Sequence, residues 1–432
     1  MLKIVGIILT IVITSFYFFP FEFSFLPGMN TKMIMAAFGL VILGVNLLKG
    51  EKANIGKDFF VLSLLAIVVS LFGQAAIIVN NTHDQTYSFY IMSMWVWLGG
   101  AYTVINMIRM VHGRASLLLV CHYLIAVCVC QCLLAFTMTQ YTPLKNAVDS
   151  ILGSSGFMGK VDSRIYGLGA SLDVAGMRFA AILSIIAYLA FNTKKTQSPL
   201  VRTCYLTAFF VIGFFGNMIG RSTTIGVGLA IMYWCLVTFF AKGVETKSFW
   251  KIFGALALLI VPVIIYFYNV NAAVYSNVRF AFEGFFSLWE HGTWNVHSNN
   301  ILKSMIVFPD NMKTWLIGDG YFENPYFRDP YYIGPRWAGY YMQTDIGYLR
   351  FIFYFGVFGM LAFCAYMLAV GRVCMQRFPK RKMMFLMALA LNFIIWFKVS
   401  SDLFSLFALF LCVSQEENDE YERLSAAKEQ AQ

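Results

Sequence analysis

Charge is what this chain has least of: only 12% of its 432 residues are Asp, Glu, Lys or Arg, about half the share found in a soluble globular domain. A water-soluble fold of this length would lack a hydrated surface, so a soluble enzyme and a charge-rich disordered chain are both excluded. Catalytic signatures are missing as well. No HExxH, no cluster of carboxylates and no GxxxxGK(S/T) occurs, which leaves metal hydrolysis and ATP hydrolysis unsupported and predicts neither a metal nor a cofactor. The nine cysteines, Cys128, Cys130 and Cys132 among them, lie in apolar runs or at their inner edges, none in a long polar loop. With no CxxC pair at metal spacing they read as small packing residues.

Hydrophobic residues make up 59% of the chain and aromatics 17%, and the apolar residues come in blocks of roughly 18 to 22, the length that crosses a bilayer. The sequence therefore predicts an all-α, polytopic membrane protein of about twelve spanning helices. Their cores fall near 2–19, 31–48, 58–79, 88–108, 116–138, 174–192, 203–220, 222–241, 250–268, 346–370, 383–398 and 401–414. The last two are short, and the seventh and eighth are joined almost without a loop. The first has Lys3 before it and no small-residue cleavage site after it, which favours a retained helix over a removed signal peptide.

The net charge of +10 is no nucleic-acid signal, because its distribution follows the rule for cytoplasmic loops. With the N-terminus inside, the inner loops hold Lys49, Lys52 and Lys57, then Arg109 and Arg114, then Lys194, Lys195 and Arg202. Lys242, Lys247 and Lys251 follow, and finally Arg372, Arg377, Lys380, Arg381 and Lys382. The short outer connections hold only Lys32, Arg221 and Lys398. Both termini are then cytoplasmic, and residues 415–432 form an acidic, solvated tail.

Two long segments lie outside in this topology. One, about 139–173, interrupts the nine spans of 1–268, and the other, 269–344, separates them from the last three spans in 345–414. Structureless loops beyond about 15 residues are uncommon unless functional, and the second is several times longer. It is dense in aromatics: Trp289, Trp294, Trp315, Tyr321, Phe322, Tyr326, Phe327, Tyr331, Tyr332, Trp337, Tyr340 and Tyr341. Its 278–306 run has the pattern of amphipathic helices lying on a membrane. Gly318-Asp319-Gly320 with Pro325, Pro330 and Pro335 marks irregular loop.

An arginine at mid-bilayer costs about 2.5–3.5 kcal/mol on insertion scales, so an ionisable residue in a span is a functional candidate by default. Three arginines qualify, all on the outer side. Arg178 lies about one turn inside the sixth span, Arg221 sits in the tight join Gly220-Arg221-Ser222-Thr223-Thr224, and Arg164 precedes the sixth span. A guanidinium presents a planar fork of donors that matches phosphate oxygens and keeps its charge. Three of them meeting at the outer surface would suit a diphosphate. The plainer alternative for each is snorkelling to lipid headgroups. Asp345, which opens the tenth span, is a further candidate, although Asp there is also an ordinary helix cap and Arg350 stands one turn deeper to pair with it. His291 and His297, the histidines of the long loop, are candidate general bases or plain surface residues. Asp58 reads as a cap, and the outer loop of Asn80, Asn81 and His83 carries little signal.

These segments follow one another in a particular order. An outer loop runs from Arg164 through Gly167, Gly169 and Ser171 to Gly176, and the 220–224 hairpin follows two spans later. The long loop closes with Leu316-Ile317-Gly318-Asp319-Gly320 and Thr344-Asp345-Ile346-Gly347, leading to Phe355-Gly356-Val357-Phe358-Gly359. Over about 160–360 this arrangement resembles the O-antigen polymerase and O-antigen ligase superfamily of bacterial envelope glycosyltransferases. The resemblance implies a metal-independent inverting transferase in the inner membrane, acting on its periplasmic side on a polyprenyl-diphosphate-linked oligosaccharide. It implies that Arg164, Arg178 and Arg221 hold the diphosphate. A chain-length-regulating membrane protein is a candidate partner. Ligases of the superfamily carry a histidine just before the helix that follows the long loop; here the stretch reads Gln343-Thr344-Asp345, which favours a polymerase. Asp345 or His297 would then orient or deprotonate the acceptor hydroxyl. Two rivals stand beside this expectation: a ligase-type transferase, and a flippase or transporter of the same lipid, to which about twelve helices are equally suited.

Overall fold

The computed structural model describes residues 2–49, 57–153, 164–191, 199–240, 244–325 and 339–430. Tyr326, Phe327, Tyr331, Tyr332 and Trp337 of the aromatic loop, Pro330 and Pro335, and the inner-loop cations Lys52, Lys194, Lys195 and Lys242 lie outside the described residues. The chain is an all-α polytopic membrane protein. Among the described residues, nine helices are long and apolar enough to cross a membrane, and there is no strand, only isolated bridges such as Phe23 with Leu152.

Each of the expected apolar cores falls on a helix. The nine long ones are α2 (Thr31–Leu48), α3 (Lys57–Asn80), α4 (Tyr90–His112), α5 (Leu117–Gln140), α7 (Leu172–Phe191), α8 (Pro199–Ile219), α9 (Thr223–Phe240), α10 (Val244–Val270) and α15 (Gly347–Arg377). The remaining three are shorter: α1 (Leu2–Phe18), α16 (Lys382–Ile395) and α17 (Phe404–Leu411). At 14 and 8 residues, α16 and α17 rise only about 21 and 12 Å, so neither crosses a hydrocarbon core of about 30 Å by itself. Outside the spans lie α6 (Thr142–Ile151), α11 (Ala272–Ala281), α12 (Glu283–His291), α13 (His297–Ser304), α14 (Met312–Leu316) and α18 (Gln415–Gln430). The described part of the long aromatic loop therefore carries four short helices, α11 to α14.

The chain forms two compact units. The first comprises Met1–Gly39, Gly100–Trp294 and Cys412–Gln432, and the second Leu40–Gly99 and Asn295–Leu411. The aromatic loop, expected as one region, is thus shared between them, changing unit after Trp294.

In the first unit α7 is the axis. Every residue from Ala175 to Ala190 is buried, because Ala175, Gly176, Ala180, Ala181, Ser184 and Ala187 let neighbouring backbones come close. Gly226 of α9 packs against the backbone of Ala180, and Trp234 Nε1 donates to the Ala187 carbonyl at 3.0 Å. The segment before α7 dips into the bundle. Buried Gln131, about 13 Å below the end of α5, donates from Nε2 to the Leu168 carbonyl at 2.9 Å and to Ser15 Oγ at 2.7 Å. Irregular backbone is tolerated at that depth only where protein satisfies it.

At the other end of this unit the acidic tail, with Glu416, Asp419 and Glu420 exposed, is a docked helix. Glu417 of α18 accepts from Arg109 Nε at 2.8 Å and Nη2 at 3.1 Å, and Asn418 Oδ1 accepts the Leu117 N–H at 3.0 Å. Arg114 pairs with Glu420 at 2.8 Å. The positive charge of Arg109 and Arg114 and the negative charge of the tail neutralise one another, while Asn418 satisfies a donor that the first turn of α5 leaves unmade.

In the second unit α15 packs along α3, and its Phe351, Tyr354 and Phe363 form an aromatic core with Tyr87, Tyr90 and Trp396. Helix α15 is broken at Phe355 and Gly356, the latter at φ 71° and ψ −178°. A loop enters the break: the Asp319 N–H donates to the Phe353 carbonyl at 2.6 Å and the Gly320 N–H to the Tyr354 carbonyl at 3.1 Å. Asn80 and Thr82 hold the same loop through the carbonyls of Gly318 and Gly320, each at 3.0 Å. Two motifs noted separately in the sequence, Gly318-Asp319-Gly320 and Phe355-Gly356, are thus a single interlock, and Asn80, given little weight there, is one of its fasteners. Asp58, expected to be a cap, instead accepts from Arg377 Nε at 3.2 Å, and the same guanidinium reaches the Leu411 carbonyl at 2.7 Å.

Gly356 occupies a backbone region essentially confined to glycine, and a Cβ there would run into the Leu316 carbonyl. Gly356→Ala is expected to destabilise the detergent-solubilised protein by about 2–4 kcal/mol, combining backbone strain and the clash. Gly254→Ala, where nothing lies within 4 Å, should leave it unchanged or slightly firmer. Thermal unfolding of the two variants side by side measures the difference.

Candidate functional site

The site is built where the N-terminus of α7 meets the hairpin between α8 and α9, all within the first unit. Gly220 approaches so closely that a Cβ would run into the Leu172 carbonyl, and a Cβ at Gly176 would lie 2.8 Å from the Gly220 carbonyl oxygen. Leu172 itself is held at φ 55°, a left-handed conformation that a branched side chain rarely adopts and that the surroundings must enforce. The hairpin hydroxyls each have a task. Ser222 Oγ donates to Asp173 Oδ1 at 2.7 Å, Thr223 Oγ1 to the Gly220 carbonyl at 2.8 Å, and Thr224 Oγ1 to Asn217 Oδ1 at 2.6 Å. The result is a rigid turn that presents Arg221.

Arg221 and Arg164 meet over one aromatic ring. The Arg221 guanidinium lies 3.9 Å from the centroid of Phe280, in α11, and the Arg164 guanidinium lies 5.1 Å from the same centroid. Each cation has a carboxylate partner: Glu283 Oε2 at 2.6 Å from Arg221 Nη1, and Asp173 Oδ2 at 3.9 Å from Arg164 Nη1. The Arg221 side chain is 13% exposed. Burial holds its proton affinity below the usual arginine range; Glu283 opposes that shift and the neighbouring Arg164 adds to it. An arginine stays protonated regardless, so the patch carries two fixed positive charges. Ring stacking of this kind contributes about 0.5–2 kcal/mol and preorganises the guanidinium plane.

Arg178 takes a different position. It lies about 7.5 Å further along α7 than Asp173, is buried, and rests 5.7 and 5.8 Å from the ring centroids of Phe18 and Phe19. Of the three candidate diphosphate ligands, two share Phe280 and the third lies deeper on the same helix, against the end of α1.

The other two candidates belong to the second unit. Asp345 lies beside buried Arg350, with Oδ1 3.5 Å from Nη1 and its own side chain 20% exposed. Arg350 is a hub. It donates to Ser400 Oγ at 2.7 Å and to the Phe322 carbonyl at 3.0 Å, and it stacks on Phe322 and Tyr340 at 3.7 and 4.3 Å. The pairing anticipated between Asp345 and Arg350 is present, and it fastens loop to helix. His297, the first residue of α13, is exposed, as is His291.

Sequence reasoning passed over Phe280, Glu283 and Asp173. Glu283 had a usable signal: it is the one carboxylate in the aromatic stretch from Val274 to Trp289. Asp173 and Ser222 carry none, because their link joins two helices 49 positions apart in sequence. Chemically, the patch is two guanidiniums, each paired with a carboxylate, beside one aromatic ring, and guanidinium donors of this kind match anionic oxygens. Comparison of the chain with protein-family models, with curated proteins and with solved structures finds no match in any of the three.

If Glu283 occupies the ligand's place, removing its charge must help an incoming anion. Glu283→Gln is expected to bind inorganic diphosphate roughly fivefold more tightly, the equivalent of about 1 kcal/mol for a partly exposed ion pair. Arg221→Ala should bind it at least tenfold more weakly, as loss of a charge-assisted contact costs about 1.5–3 kcal/mol. Titration calorimetry at low ionic strength reads both.

Proposed function

We propose that the chain is a polysaccharide polymerase of the bacterial inner membrane, of the O-antigen polymerase kind. It transfers glycan from a polyprenyl-diphosphate carrier to a lipid-linked repeat unit on the periplasmic side. The observation that carries this reading is the pair of guanidinium groups, Arg164 and Arg221, stacked on Phe280 at one end of a bundle of spanning helices. A bond-forming enzyme outside the inner membrane has no ATP and needs a donor that is already activated. A sugar on a lipid diphosphate is such a donor, and preplaced cations stabilise the charge that develops as it departs.

In the proposed reaction the acceptor hydroxyl attacks the anomeric carbon, whose bond to the diphosphate oxygen breaks with inversion. The carrier diphosphate leaves toward Arg164 and Arg221, with Arg178 deeper along its path. The hydroxyl proton passes to a base. Exposed Trp294 offers a flat apolar face against which a pyranose ring can pack.

A lipid-linked oligosaccharide transporter is the second reading, favoured by one observation: α15 is broken at Phe355–Gly356, and unwound helices mark many transporter binding sites. Against it, the carbonyls freed by that break are taken by the Asp319 and Gly320 N–H groups and are not open to a ligand.

The decisive experiment supplies purified protein in detergent with a defined lipid-linked repeat unit and no nucleotide sugar. A ladder of elongated lipid-linked products is expected, with Arg221→Ala and Arg164→Ala each lowering the rate by about 10²-fold or more, as for loss of one charge-stabilising donor. Unchanged substrate from the parent protein, together with its movement across proteoliposome membranes, would replace the polymerase by the transporter.

A further inference from the structure

Helix α12 has two faces with different surroundings. On one side Phe286 stacks on Tyr268 of α10, with centroids 5.8 Å apart and planes at 9°. Arg279 of α11 lies over the Phe286 ring at 4.7 Å and donates from Nη2 to Glu290 at 2.7 Å. Glu283, one turn before Phe286, belongs to the same side and pairs with Arg221. On the other side Phe285, Leu288 and Trp289 stand at i, i+3 and i+4 and are 57%, 49% and 89% exposed, a continuous apolar stripe.

What covers that stripe follows from the helix it adjoins. At 27 residues, α10 is about 40 Å long and outreaches the hydrocarbon core of about 30 Å. Only 6% of its spanning window is buried within the protein, so its sides, with Leu258, Tyr266 and Val270 among the exposed residues, are the lipid-facing surface of this unit. Through Tyr268 and Phe286, α12 is seated on the end of that surface and continues it. A short helix with paired charges on its attached side and Trp, Phe and Leu on its free side has the make-up of an interfacial helix.

We infer that α12 is seated in the bilayer interface through Phe285, Leu288 and Trp289, and that its partner is the phospholipid of the leaflet beside the Arg221 hairpin. This assignment does not rest on the polymerase reading. One consequence reaches the site: the carboxylate occupying Arg221 is carried on a helix anchored in lipid.

The test uses the full chain reconstituted in phosphatidylcholine vesicles, with p-benzoylphenylalanine replacing either Trp289 or Ser287, the latter on the attached side with Oγ 2.8 Å from the Thr293 carbonyl. After irradiation, phospholipid adducts at position 289 should exceed those at 287 by about tenfold, as expected for a residue at acyl-chain depth. The exposed position of Trp289 makes the substitution tolerable to the fold. Crosslinking of position 289 to a second copy of the chain would make the stripe a dimer surface and overturn the inference. Equal lipid labelling at the two positions, or none at 289, would overturn it as well.

Discussion

A guanidinium removed from water needs both a counter-charge and a surface to lie against, and the first unit supplies the two together at Phe280. The rest of that unit can be read as the means of doing so. Small residues bury α7 and bring its N-terminus against the 220–222 turn, Gly220 allows the contact, and Leu172 is forced left-handed by it. Ser222 and Arg164 then converge on Asp173, while α11 and α12 deliver Phe280 and Glu283 to Arg221. Breaking a buried pair by removing one partner is costly because the other charge is stranded. In the balanced arrangement each guanidinium has its carboxylate and neither charge is stranded.

The same accounting of polar groups shapes the backbone. Each unit contains a Gly-x-Gly segment that leaves the loop level and enters the helices: 167–169 in the first, 318–320 in the second. Each is met by a side-chain amide, buried Gln131 or half-buried Asn80. In the second unit the entry also requires α15 to open, so the unmade helical hydrogen bonds and the incoming N–H groups satisfy one another. Without such partners, non-helical backbone would not persist at that depth. The acidic tail follows the same logic at the opposite end, where Glu417 and Asn418 serve the donors of an arginine and of a helix start.

How much of this was legible in the chain depends on the range of the interaction. Hydrophobic blocks of spanning length are local, so the all-α polytopic class and the position of every apolar helix were readable, including the shortness of the last two. Arg164, Arg178 and Arg221 were singled out because a charge in an apolar context is conspicuous by itself. Their grouping was not readable. It depends on Phe280, one ring among many in an aromatic run, and on Glu283, both more than fifty positions after Arg221. It depends also on helix rotation, which sets Arg178 against Phe18 and Phe19. The docking of the tail was not readable for a related reason: the residues that face it lie far earlier in the chain, as Leu117 lies 301 positions before Asn418.

The central claim is that Arg164 and Arg221 form one receptor for a lipid-borne diphosphate, with Glu283 in its place when the ligand is absent. The most direct measurement is an electron cryomicroscopy map of the protein in nanodiscs loaded with polyprenyl diphosphate. The account predicts diphosphate density touching both guanidiniums beside Phe280, with the Glu283 carboxylate displaced from Arg221. Diphosphate bound elsewhere, with the Arg221–Glu283 pair intact, would contradict it.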